Sequence, residues 1–138
     1  LGPRSWEPEE AAFLARMGVR VIGEDEIGER GLAACFAEAA AIVSGAANGF
    51  GITLDLDAFD PVAAPGVGSP EPEGLPAREV RDGLQRLAAS GGLRALEIVE
   101  YNPDRDRHGI TARLISDVIG DLLPQIENRR PAASQTRH

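Results

Sequence analysis

Apolar and polar positions along the chain alternate between two rhythms: short continuous apolar runs, and longer stretches in which apolar residues recur at helical spacing. Leu1 to Ser5 reads as the tail of a strand. A helix should start at Trp6-Glu7-Pro8-Glu9-Glu10, with Ser5 or Glu7 near the cap and Pro8 in the first turn. Ala11, Phe13, Leu14 and Met17 carry it, and Gly18 closes it. Val19 to Gly23 is a second short strand, and a second helix is expected from about Glu29 to Ser44, with Leu32, Phe36, Ala39, Ala40 and Val43 on one stripe. Gly45 to Gly49 turns into a central strand that runs to about Asp55. A third helix opens at Leu75-Pro76-Ala77 and ends at Ser90-Gly91-Gly92; Leu93 to Val99 is the next strand, and Thr111 to Ile126 the last helix. Asn128 to His138 is polar and expected to be disordered, so residues 1–126 form the domain and 127–138 its tail.

The order β-α-β-α-β-α-β-α with mostly short connections implies a parallel sheet covered by helices on both faces. In such sheets ligands sit beyond the carboxyl ends of the strands. Glu7, Asp55, Asp57 and Glu100 should then lie along one edge, converging from three strands. A long Pro/Gly-rich stretch after Asp60-Pro61 (Pro65, Gly66, Gly68, Pro70, Pro72, Gly74) has the character of a site-forming loop.

Size and charge narrow the function. The 138 residues are enough for the core of one domain. A formal charge of −8 argues against binding a nucleic-acid backbone, and no apolar run approaches the roughly 20 residues of a membrane span. The single Cys35 permits no internal disulfide and fits a reducing cytoplasm. All 14 basic residues are Arg. The opening LGPRS reads as the inside of a longer protein, and we expect this chain to be its C-terminal part.

The chemistry concentrates in ITLDLD. Two acids spaced two apart at a strand end leave on one face, with Cα atoms about 7 Å apart. Such a pair needs a shared proton or a bound cation, and carboxylate oxygens suit Mn²⁺ or Mg²⁺. The plain alternative is that Asp55 and Asp57 are turn and cap residues. Glu100, after an apolar strand, could pair bidentately with a guanidinium, or simply form a salt bridge with Arg105 or Arg107. Strand alternation puts Glu97 on the opposite face, as a structural residue. His108, in a charged run, is expected to be exposed. His138 ends the tail and is no candidate, and Cys35 among alanines is a small core residue.

Taken together, LDLDAFDP, then APGVGSPEPEGL, then EIVEYNP resemble the C-terminal half of the arginase/agmatinase (ureohydrolase) family of binuclear manganese enzymes. The likeness runs from about Leu1 to Ile126, since LGPRSWEPEE and VRVIGEDEI are also similar to family segments. It implies a three-layer α/β/α fold with the N-terminal half missing. It further implies that Asp55 bridges two Mn²⁺ ions, that Asp57 ligates one, and that Glu100 holds the substrate guanidinium. Ser69, where members often have Thr, would offer a hydroxyl near the substrate. Glu7 falls where arginases commonly place an Asp that helps bind the substrate's α-amino end; it departs by one methylene, and Ser5 likewise replaces an acidic residue. The family's GGDH-type histidine, DAHxD-type cluster and catalytic histidine loop belong upstream of Leu1, so no catalytic residue is assigned here and the chain alone is expected to be inactive.

The implied reaction hydrolyses a linear C–N bond of a small guanidino compound to release urea, in a cytoplasmic homo-oligomer. GVGSPEPEGL and EYNPDRD look more like bacterial arginases than agmatinases, so the resemblance implies arginine as the first substrate, with agmatine and guanidinobutyrate as alternatives. Two readings compete. A strand ending in DxD also resembles the nucleophile motif of haloacid-dehalogenase-type phosphatases, but those carry a Lys, and a Thr or Val where this chain has Phe59. The other is a degenerate domain that binds a metal weakly or only packs against a partner.

Overall fold

The computed structural model describes residues 1–4 and 7–127. The expected tail, and Ser5 and Trp6, lie outside the described residues. Helix α1 spans Pro8–Arg16, with Pro8 in the first turn, where its missing N–H costs nothing, and Glu9 and Glu10 at the positive end of the dipole. Helices α2 (Glu24–Arg30) and α3 (Leu32–Ser44) follow, then strand β1 (Phe50–Asp55), α4 (Ala77–Ala89), β2 (Leu93–Val99) and α5 (Ile110–Glu127).

Strands β1 and β2 pair in parallel, with Leu54 opposite Ile98 and Asp55 opposite Val99. Because side chains alternate, Leu54 of β1 points into a core that also takes Leu32 and Phe36 of α3, Val80, Leu84 and Ala88 of α4, and Leu114, Val118 and Leu122 of α5. The α5 residues are spaced by four, the stripe that its sequence pattern demanded. The opposite face, Gly51, Thr53 and Asp55 on β1 and Ala95 and Glu97 on β2, is exposed. There Thr53 Oγ1 donates to Glu97 at 3.1 Å, the structural role expected for Glu97. Cys35 is fully buried, as a core residue should be.

Three expectations need correction. Neither Leu1 to Ser5 nor Val19 to Gly23 forms a strand among the described residues; the sheet there consists of β1 and β2, and the two apolar segments share a backbone bond from Gly2 N to Ile22 O at 2.8 Å. An apolar run becomes a strand only when a neighbour supplies a ladder, and these two lie apart from β1. The second helix starts at Leu32, not Glu29: Gly31, at φ +79°, separates it from α2 (Glu24–Arg30), a short helix that the sequence pattern did not predict. Arg20 and Arg30 then both pair with Glu26 and Glu38, bracing the break from outside. Finally, Asp57 is not on the strand: β1 ends at Asp55, and Leu56–Ala58 is a turn of 3₁₀ helix.

The chain from Pro61 to Gly74 has no regular structure, yet it is pinned. Val67 bridges Tyr101, Asn102 N donates to Gly66 O at 2.8 Å, and Gly66 N donates to the buried Thr111 Oγ1 at 2.8 Å. A Cβ at Gly66 would stand 2.7 Å from Asp106 Cβ, so only glycine lets the loop approach. Asp106 in turn accepts from Thr111 N at 2.9 Å, Ala112 N at 3.0 Å and Tyr101 Oη at 3.1 Å. Among the described residues, no helix is long and apolar enough to cross a membrane.

Two stability predictions follow from this packing. A Cβ at Gly83 of α4 would sit 2.1 Å from the Phe36 ring, so Gly83→Ala should cost about 1–3 kcal/mol in denaturant unfolding despite alanine's better helix propensity. Burial works to raise the Asp106 carboxyl, but the amides of Thr111 and Ala112 and the Tyr101 hydroxyl outweigh it and hold it below the usual carboxylate range. Its contribution is therefore present above the unfolded-state pKa and lost as pH falls through the lower folded one. Asp106→Ala should lower stability by about 1 kcal/mol near neutrality. Thermal melts repeated toward acid should show wild type and variant converging.

Candidate functional site

Parallel pairing decides where the acids meet. Because Asp55 is in register with Val99, the residues that follow each strand, the Asp55–Asp57 turn and Glu100, emerge side by side at the carboxyl edge of the sheet. Asp55 caps the 3₁₀ turn, its Oδ1 accepting from Asp57 N at 3.2 Å, so the cap role considered for it is present. That same turn brings the Asp57 side chain back against Asp55. Burial first, then the Asp55 charge and hydrogen bond, then the Glu100 charge push the Asp57 carboxyl above its ordinary range, against a smaller downward pull from Arg4. The edge thus holds a close Asp55–Asp57 pair, with Glu100 near enough to act on Asp57 through its charge, and a cation would relieve the repulsion.

Glu100 holds φ +64°, in the left-handed region, where a side chain with a Cβ costs about 1 kcal/mol or more. The reversal turns the chain out of β2 at once and aims the carboxylate at the Pro/Gly loop: a Cβ at Gly68 would lie 3.6 Å from Glu100 Oε2. Among the described residues Glu100 joins no salt bridge, so the pairing with Arg105 or Arg107 that its sequence neighbourhood allowed is not formed. An exposed carboxylate next to a loop is suited to a planar cation from solution.

A cleft of about 1000 Å³ runs along the edge of β1 that β2 does not occupy; Arg4, Asp55, Asp57, Ser69 and Glu71 are among its lining. Of the residues singled out from sequence, Asp55, Asp57 and Ser69 share this cleft and Glu100 adjoins it. Glu7 does not line it. It is exposed at the N-cap of α1, making no capping bond, while Glu10 reaches the cleft. His108 is exposed in a turn at φ +56°, as expected.

Among the described residues, no group of three or more His, Cys, Asp or Glu is gathered to hold a metal ion. In kind, the Asp55 and Asp57 oxygens fit a hard divalent cation; in number, they are part of a ligand set. Sequence reasoning passed over Arg4 and Asp106, and considered Arg105 only as a salt-bridge partner for Glu100. Charged residues beside a loop read as solvated, and only Asp106 carried a signal, an acid shortly before a helix start.

The chain is similar in sequence and in fold to known proteins. The chain is 40% identical over 127 residues to an arginase of Brevibacillus brevis, covering 89% of this chain and 43% of that protein. It is 36% identical over 121 residues to a guanidinopropionase of Pseudomonas aeruginosa, covering 86% of this chain and 36% of that one. The solved arginase of Bacillus subtilis superposes with a TM-score of 0.82 at 32% identity, over 88% of this chain and 43% of its own length, and shares the α/β class with a parallel sheet. The chain therefore spans about two-fifths of the length of these relatives. A model of the Arginase family matches residues 1–124, from the segment that carries Arg4 through nearly all of α5, and the chain belongs to that family.

Proposed function

We propose that this chain is the carboxylate-bearing wall of a ureohydrolase, which splits a guanidino group from a small molecule and releases urea, with arginine as the first candidate substrate. The observation that carries the reading is the crowding of Asp55, Asp57 and Glu100 at the ends of two register-matched parallel strands, with Asp57 pushed up by burial and its neighbours. Asp55 and Asp57 would hold Mn²⁺, two ions per site once other ligands join them. When bound, the ions supply Lewis acidity that readies a water for attack on the guanidinium carbon. Glu100 would accept from the guanidinium N–H groups through both oxygens and fix the plane of the reacting carbon. Ser69, exposed on the loop beside it, would place a hydroxyl on the substrate's flank. Glu7, to which the resemblance gives the polar far end of the substrate, stands outside the cleft at the N-cap of α1, so it would act only on a group that extends beyond the cleft.

The likeness to a guanidinopropionase supports a second substrate reading. The head group both would share is the one Glu100 is shaped for, while Glu7 lies outside the cleft. Residues 1–126 would act as one unit of a longer protein, cytoplasmic, as the unpaired buried Cys35 supports, and assembled with copies of itself.

Urea release by the full-length protein, supplied with Mn²⁺, should be measured on arginine, agmatine, guanidinobutyrate and guanidinopropionate side by side. One substrate should be turned over well above the rest, and Asp57→Ala should lower kcat by roughly a thousandfold or more, the scale of a lost electrostatic catalyst. Turnover unchanged by Asp57→Ala would refute the assignment; no turnover of any, with Mn²⁺ bound, would favour the binding-domain alternative. The 138-residue chain by itself should release no urea in the same assay.

A further inference from the structure

The loop from Pro61 to Gly74 is short of its own donors: Pro65, Pro70 and Pro72 have no amide hydrogen to give. Its carbonyls are taken up instead by two guanidinium groups, one on each side of Ser69. Ahead of it, Arg105 Nη1 donates to Gly68 O at 2.5 Å. Behind it, Arg4 donates from Nη1 to Glu71 O at 3.1 Å and from Nη2 to Pro72 O at 2.5 Å, while its Nε donates to the Glu24 carboxylate at 3.1 Å. Arg4 comes from the N-terminal segment and Arg105 from the turn just after Glu100, so the loop is tied to two separate parts of the chain. Charged donors to carbonyls make stronger bonds than neutral ones, and the fork of a guanidinium can reach two adjacent carbonyls where an ammonium cannot. Ser69 itself is exposed and held by neither. The fixed points are its neighbours, which leaves the hydroxyl free and its position set.

We propose that Arg4 and Arg105 are positioning residues that clamp the loop at Gly68 and at Glu71–Pro72, hold the Ser69 hydroxyl beside Glu100, and thereby set the enzyme's affinity for its guanidino substrate. This rests on the ureohydrolase reading above. The role is carried through Ser69, which gives it a signature that a scaffold residue lacks.

The test uses the full-length protein with Mn²⁺ and combines hydrogen exchange with kinetics. Arg4→Gln and Arg105→Gln should each speed amide exchange in the peptide covering residues 68–75 by about tenfold with the melting temperature unchanged, and Arg105→Gln, which removes no charge acting on Asp57, should leave bound Mn²⁺ unchanged as well. Each should raise KM by about tenfold while kcat stays within about threefold, and Arg4→Lys should recover only part of the loss. Ser69→Ala should raise KM by about five- to tenfold, and adding Arg4→Gln to it should cost at most about twofold more, since both remove the same contact. A product of the two single effects in the double variant, a silent Ser69→Ala, or a fall in melting temperature and Mn²⁺ content with KM unchanged would overturn the positioning role. Unchanged exchange in the loop would overturn the clamp whatever the activity. If the wild type releases urea from no guanidino compound while the variants still loosen the loop, the clamp stands and the ureohydrolase reading is what fails.

Discussion

Everything at the functional edge depends on the register of one parallel strand pair. Setting Asp55 against Val99 puts Asp55, Asp57 and Glu100 within reach of one another's fields. Two unit charges about 4 Å apart repel by about 4 kcal/mol near a protein surface. Among the described residues Asp55, Asp57 and Glu100 form no salt bridge; the Asp57 carboxyl shares a hydrogen bond with Asp55, and Arg4 offers Asp57 only a small counterweight. A parallel pair cannot slip to escape the repulsion either. A shift of one residue would turn Leu54 out of the core and Thr53 in. The core therefore enforces the charge cluster, and stability spent there is available to a cation.

The same edge shows how a loop without secondary structure is made definite. Gly66 lets the backbone come against Asp106, whose carboxylate at the head of α5 also holds Tyr101. Gly74 does the same at the far end, where any Cβ would stand 2.3 Å from the Phe59 carbonyl carbon and break the bridge from Phe59 to Leu75. Between these two close approaches, side-chain donors replace the ladder bonds of a strand. The loop is held by its ends and its carbonyls rather than by burial, which suits a segment whose middle must stay open to solvent.

Sequence pattern located some of this well and some not at all. The third helix and the strand after it were legible almost to the residue, because Val80, Leu84 and Leu87 keep helical spacing and Gly91-Gly92 separates them from an unbroken apolar run. The first two strands were misread for a reason that lies outside the segments themselves. Leu1 to Ser5 and Val19 to Gly23 have strand composition, but strand structure belongs to a pair, and no local pattern reports whether a partner is present. Helix α2 was missed for a different reason: its seven residues carry one hydrophobic side chain, Ile27, too few to show a period. At the site, Asp55, Asp57 and Glu100 stood out as acids interrupting apolar runs. Arg4 and Arg105 did not, since their partners are backbone carbonyls more than 35 residues away in the chain.

Arg4 brings the two themes together. Its charge draws the Asp57 carboxyl down while its fork holds the Glu71 and Pro72 carbonyls. One group thus tunes the acid cluster and shapes the loop that borders it. The two effects have different requirements: charge at a distance needs only a cation, but two adjacent carbonyls and a carboxylate need a planar group with donors on three nitrogens. A chain whose cations are all arginine meets both at once. A lysine at the same place would keep the electrostatic effect and lose most of the geometric one, so the two contributions are separable even though one side chain makes them.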